Sequence, residues 1–245
     1  MRNSMRLGLA LAVLLGMASM ATAGDVTDDA LRERVEKKLA DKDVTNGSGP
    51  FVEVNDGVVT LSGTVKSLWA KQKAIELAMK VEEVRSVDDE LEIAFAESDS
   101  ELGENISKAV NRYPFFTVYD DVNLSVEDGN VTLVGRVTMP YKSEEIARRV
   151  SKVMGVQSLT NSISTLPTNI GDQRLRASLT RRIYGNSMFI DLASRRNPPI
   201  HIVVENGRVA LTGAVRTRVE RIQAEHIARS TFGVFEVENL LRVGD

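Results

Sequence analysis

Three stretches of the chain share one alternation of apolar and polar positions. DGVVTLSGTV runs from Asp56 to Val65, DGNVTLVGRV from Asp128 to Val137, and NGRVALTGAV from Asn206 to Val215. Each reads (D/N)-G-x-V-x-L-x-G-x-V, so the apolar side chains fall on one face of a strand. The alternation also runs on the N-terminal side of the turn, as in FVEV at residues 51–54, and the two strands read as a hairpin. Asp-Gly and Asn-Gly tolerate the positive φ that a tight hairpin turn needs. Gly57, Gly129 and Gly207 therefore have a structural role in the turns. The second glycines, Gly63, Gly135 and Gly213, are expected to allow close approach of the following helix, or a bulge.

A helical pattern precedes and follows each hairpin. Leu31, Val35 and Leu39 lie four apart, as do Leu102, Ile106 and Val110, and Leu175, Leu179 and Ile183. Each set forms one apolar stripe on a helix. Thr27–Asp28 and Ser98–Asp99 are suitable N-cap residues, and Pro114 ends the second helix. After the hairpin, Ala74, Ala78 and Val81 form the inward face of another helix. Ile146, Val150 and Val153 do so in the second copy, and Ala224, Ala228 and Thr231 in the third. From Gly63 to Val84, from Gly135 to Val156 and from Gly213 to Val234 the separation is 21 residues each time. A last strand closes each copy, with Leu91, Ile163 and Leu241 at matched positions.

The chain is thus an α+β protein of three tandem α-β-β-α-β units. Each is a three-stranded mixed sheet covered by two helices. The expected boundaries are 24–97, 98–168 and 169–245, after a signal peptide at 1–23. If the strand–helix–strand segments join parallel strands, the crossover is right-handed. Strand order stays open.

The three D/N-G-x-V-x-L-x-G-x-V segments, Gly155–Val156, Gly233–Val234 and the V-x-N-x-L run at Val237–Leu241 together resemble the BON domain. The resemblance covers nearly all of the chain after the leader. In the first copy Glu83 replaces the glycine before Val84, and Asp89 replaces the usual asparagine. The resemblance implies a phospholipid-binding or envelope-stress module without a shared catalytic motif.

Composition narrows the setting. Arg2 and Arg6 precede the apolar run LGLALAVLLGMASM, and ATA at Ala21–Ala23 fits a small-x-small cleavage site. This predicts export to the periplasm with no membrane span after cleavage. There is no Cys, so each unit is held by its apolar core alone. With a net charge of −3, the chain lacks the basic field of a nucleic-acid binder. Only two histidines occur, His201 and His226, without companions at metal-ligand spacing. No nucleophile elbow or phosphate loop is present. The expectation is no enzyme, no catalytic residue, no metal and no cofactor.

Charge is unevenly spread. Residues 25–97 hold 17 acids and 10 bases, whereas residues 172–245 hold 8 acids and 12 bases, all of them Arg. The planar fork of Arg suits phosphate and carboxylate. Arg181 and Arg182 end a helix, Arg195 and Arg196 lie in an inserted segment, and Arg216 and Arg218 open the next helix. One reading makes these six a face for lipid headgroups or another anionic polymer. The others make them a solvated surface, or a basic unit docked on the acidic first unit. The insertion YGNSMFIDLASRRNPPI brings Met188, Phe189 and Ile190 beside Arg195 and Arg196. These apolar residues are either a membrane-contacting tip or a small satellite core. The function expected is a non-enzymatic envelope protein contacting anionic phospholipid in envelope maintenance or osmotic stress. The alternative is a soluble periplasmic stress chaperone or protein scaffold, whose sheet edges accept an added strand.

Overall fold

The computed structural model describes residues 27–40, 49–95, 98–195 and 197–244. The leader at 1–23 and Arg196 lie outside them. Unit 1 runs α1 (Asp28–Leu39), β1 (Phe51–Asn55), β2 (Val58–Val65), α2 (Leu68–Met79) and β3 (Ser86–Ile93). Unit 2 repeats this with α3 (Asp99–Asn111), β4 (Asp121–Glu127), β5 (Asn130–Val137), α4 (Pro140–Ser151) and β6 (Ser158–Thr165). Unit 3 has α5 (Ile170–Tyr184), α6 (Ile190–Ala193), β7 (Ile200–Glu205), β8 (Arg208–Val215), α7 (Arg218–Arg229), β9 (Glu236–Asn239) and β10 (Arg242–Val243).

The first helix of each unit starts where a polar side chain satisfies free N–H groups of its first turn. Thr27, Ser98 and Asn169 cap the first helix of each unit through their side-chain oxygens. The stripes then go inward: Leu31, Val35 and Leu39, then Leu102, Ile106 and Val110, then Leu175, Leu179 and Ile183 are all buried. In every unit the middle strand lies between an antiparallel hairpin partner and a parallel last strand, as in the order β1-β2-β3. Alternate residues of the middle strand, such as Val59 and Leu61, face the helices, and each unit has its own core.

The turns have positive φ at both central residues. Asp56 and Gly57 take 49° and 75°, Asp128 and Gly129 take 49° and 76°, and Asn206 and Gly207 take 51° and 76°. This is the primed turn whose twist matches a two-residue hairpin. An acidic residue in the first helical turn holds each one. Asp28 accepts from the N–H groups of Asp56 and Gly57 at 3.0 and 3.3 Å. Asp99 accepts from Asp128 and Gly129, and Asp172 from Asn206 and Gly207.

One expectation is corrected. The second glycines do not make room for the following helix. A Cβ on Gly135 would lie 2.1 Å from the Asp121 carbonyl oxygen, and one on Gly213 would lie 2.0 Å from that of Pro199. Both oxygens belong to the incoming edge of the hairpin, because the chain crosses there at a positive φ of 146° and 100°. The third sheet keeps the three-stranded plan, with its last strand in two pieces. The break falls at Leu240–Leu241, so β9 pairs with Arg208–Leu211 and β10 with Ala214–Val215, both parallel.

The joints between units differ. Leu68 packs against the cores of both unit 1 and unit 2, and the Lys152 ammonium lies 3.9 Å from the centre of the Trp69 ring. Unit 3 instead meets unit 2 along the edge of β7. The Ile202 N–H donates to the Val118 carbonyl at 2.6 Å, and Val118 packs against the unit 3 core. Arg136 pairs with Glu205 at 2.9 Å, and Thr212 donates to Asp121 at 2.7 Å. Among the described residues, no hydrogen bond or ion pair links unit 3 to the acidic unit 1.

Candidate functional site

The six arginines singled out by composition do not form one cluster. Arg181 ends α5 and turns back on the Ala177 carbonyl at 3.3 Å. Arg182 reaches Ser230, the C-cap of α7, at 3.0 Å. Arg216 sits at the other end of α7, about 18 Å away along a 12-residue helix. Its guanidinium pairs with Glu220 at 2.8 Å, and its N–H donates to the same carboxylate at 2.7 Å. Arg216 is therefore engaged in capping α7. Arg195 and Arg218 are exposed, and no carboxylate among the described residues pairs with either. Arg196 is outside the described residues.

The apolar insertion turns inward. Phe189 is 0% exposed and belongs to the unit 3 core, with Met188 packed beside it. Burial leaves Ile190 alone on the surface, so this segment is a satellite core and not a tip. The helix end at 113–116 behaves similarly: Tyr113 and Phe116 are buried, and Phe115 is exposed.

An apolar tip does exist, at the hairpin-turn end of unit 3. Phe232 is 99% exposed and Phe235 is 83% exposed. Both follow α7 in the link to β9. The Phe235 N–H donates to the Gly207 carbonyl at 2.9 Å, which fixes this link against the turn. The same bond forms from Arg85 to Gly57 and from Gln157 to Gly129, so backbone geometry is common to all units. The side chains are not. Glu82 and Arg85 occupy the two positions in unit 1, Met154 and Gln157 in unit 2. Only unit 3 presents two aromatic rings.

A concavity of about 640 Å³ opens beside the rings, lined among others by Arg174, Ser178, Gly207, Phe232 and Phe235. Arg174 stands at its edge, and Arg182 is held two residues before Phe232 through Ser230. Arg208 follows the turn and pairs loosely with Glu236 at 3.4 Å. Exposed Ile170 opens α5 at the same end. The surface thus combines protruding aromatic side chains with guanidinium groups, the pairing that peripheral attachment to an anionic bilayer uses. Among the described residues there is no group of three or more His, Asp or Glu arranged to hold a metal ion. No helix among them is long and apolar enough to cross a membrane.

Comparison with known proteins gives the architecture a family. The chain is 30% identical over 156 residues to the osmotically-inducible protein Y of Escherichia coli K12. That alignment spans 60% of this chain and 78% of that protein. Among solved structures, a structural protein of the Chlamydia trachomatis type III secretion system aligns over 87% of this chain and 92% of its own. The identity is 15% and the TM-score 0.26. The PrgH periplasmic domain aligns over 80% and 95%, at 12% identity and a TM-score of 0.20. Scores this low do not establish a shared overall arrangement. The BON domain profile, by contrast, matches residues 27–94, 98–167 and 172–245, one match for each of the three sheets. This chain belongs to the BON domain family and carries three copies in tandem.

Proposed function

We propose that the protein is a non-enzymatic periplasmic module that contacts anionic phospholipid surfaces through the turn end of its third unit, serving the envelope under osmotic stress. The observation that carries the reading is the exposure of Phe232 and Phe235 beside Arg174, Arg182 and Arg208. Burying one Phe side chain is worth about 1.5–3 kcal/mol, and each Arg at an anionic surface adds about 1 kcal/mol. Two rings and three guanidinium groups together suffice for reversible attachment. The 30% identity to an osmotically inducible protein supports the stress setting, and the basic run and small-x-small site at 1–23 support the compartment.

The test is flotation of the chain from Gly24 onward with phosphatidylglycerol vesicles and with phosphatidylcholine vesicles. Binding is expected to phosphatidylglycerol, weakening steeply with salt as exposed charges are screened. Phe232→Ser with Phe235→Gln should reduce it at least tenfold. Changing Arg181, Arg182, Arg195 and Arg196 to Gln should weaken it less, because only Arg182 is held beside the rings. Equal binding to both vesicle types, or none to either, would overturn the reading.

A further inference from the structure

At the opposite end of unit 3, about 20 Å along its hairpin from the Phe232 surface, lies a cleft of about 580 Å³. Its walls come from α3 and β4 of unit 2 and from β8, β10 and residues 197–199 of unit 3. We propose that this cleft binds an extended polypeptide segment bearing a carboxylate, which adds as a strand to the free edge of β4. The proposal is independent of the membrane reading, since the two surfaces share no residue.

The hydrogen-bond register identifies the ligand class. Glu127 and Asn130 flank the two-residue turn and pair directly, so they exchange hydrogen bonds. Every second pair does likewise: Ser125 with Thr132 and Asn123 with Val134. The N–H and C=O groups of Val122 and Leu124 therefore point away from β5. Both residues line the cleft, and β4 is the edge strand of its sheet. Donor and acceptor at alternate residues, about 6.6 Å apart, match an extended peptide backbone and little else.

The chain already uses this mode next door. By the same register Ile202 of β7 points its N–H outward, and that group is taken by the Val118 carbonyl at 2.6 Å. The segment that covers the β7 edge runs straight into β4, whose own edge has no strand partner among the described residues. The new strand would continue an interface that exists.

Side chains supply the rest. Thr212, Gly213 and Ala214 form a low floor that leaves room for a backbone. Arg242 is exposed at the rim, and no carboxylate among the described residues pairs with it. Asp121 also lines the cleft, and its carboxylate accepts from Thr212 at 2.7 Å and from Asn123 at 2.9 Å. His201 directs Nδ1 to the Asp120 carbonyl at 2.6 Å. A carbonyl only accepts, so Nδ1 carries a proton. Among the described residues Arg242 is the lining cation that no carboxylate pairs with, and a carboxylate is its complement.

The probe is a capped nonapeptide of alternating valine and threonine with a central glutamate, titrated into the 15N-labelled chain from Gly24 onward. The expected result is shift changes and slowed amide exchange at Val122 and Leu124, with shifts at Thr212 and Ala214. Arg242→Ala should weaken binding roughly tenfold, as should glutamine in place of the peptide glutamate. Ala214→Trp, at an exposed position, fills the cleft and should abolish binding while leaving the circular dichroism unchanged. Unperturbed Val122 and Leu124 at millimolar peptide would overturn the proposal. So would equal binding by an analogue N-methylated at alternate amides, or by the glutamine peptide.

Discussion

Asp28, Asp99 and Asp172 show how a single residue type ties distant parts of each unit together. Each stands in the first turn of a helix and receives two N–H groups of a hairpin turn. The sequence offers Asp28 and Asp99 as cap candidates beside Thr27 and Ser98, but the capping oxygens are those of Thr27, Ser98 and, in unit 3, Asn169. The turn partners of the aspartates lie 28 to 35 residues downstream, a distance that periodicity cannot bridge and that the insertion lengthens in unit 3. Glu83 marks the converse case. It takes φ 76° where Gly155 and Gly233 take 93° and 91°. An L residue there costs about 1–2 kcal/mol, and its ion pair with Arg34 at 2.6 Å offsets part of this. The second glycines give a graded prediction. In Gly63→Ala the new Cβ meets the Phe51 ring at 3.2 Å, and that ring is largely exposed and can move. Destabilisation of about 1–2 kcal/mol is expected from strain alone. In Gly135→Ala and Gly213→Ala it meets a backbone oxygen at 2.1 and 2.0 Å, and a loss above about 3 kcal/mol is expected. Urea unfolding of the three variants checks the order, and an equal loss in all three would contradict it.

At the scale of elements, the α-β-β-α-β order and both helix faces were legible, because the 3.6 and 2.0 periods separate cleanly and recur three times. Strand order was not, since a hairpin followed by a crossover permits the last strand on either side. The joint between units 2 and 3 was equally hidden. The segment that leads to it is held within unit 2 by Asp120, which accepts from the N–H groups and hydroxyls of Thr117 and Thr138 and from the Lys142 ammonium at 2.7 Å. Nothing in the spacing from 117 to 142 announces this set. Burial alone would raise the Asp120 carboxyl, but the hydrogen bonds from Lys142, Thr138 and Thr117 outweigh it and hold the group below the usual carboxylate range. A lowered folded-state pKa means that the stability is present above the unfolded pKa and is lost as pH falls through the folded one. The wild-type fold should therefore keep this contribution down to about pH 4. Lys142→Met leaves a buried carboxylate unpaired, so a loss of about 3–5 kcal/mol at pH 7 is expected, with a smaller loss at pH 3. Urea unfolding at the two pH values measures it, and a loss equal at both would contradict the assignment.

For the whole molecule, three units of one design meet in two different ways, and their free ends carry different chemistry. The charge asymmetry was legible from composition, but where it becomes a surface was not. Arg216 is spent on capping, and Arg182 is drawn to the end of α7. In the sequence the insertion reads as either a membrane-contacting tip or a satellite core, because three consecutive apolar residues stand beside Arg-Arg. Phe232 and Phe235 sit in a segment that reads as an ordinary helix-to-strand link. Only the fold shows that both rings face outward from the turn end. The chain holds a single tryptophan, Trp69, in unit 1 against Lys152, and this makes the central claim directly measurable. In a Trp69→Phe background, Phe232→Trp places the sole indole at the proposed contact. Its emission should be that of a water-exposed indole in buffer, should shift to the blue on phosphatidylglycerol vesicles, and should be quenched by brominated acyl chains. Emission unchanged by those vesicles, while the protein floats with them, would show that another surface makes the contact and would contradict the account.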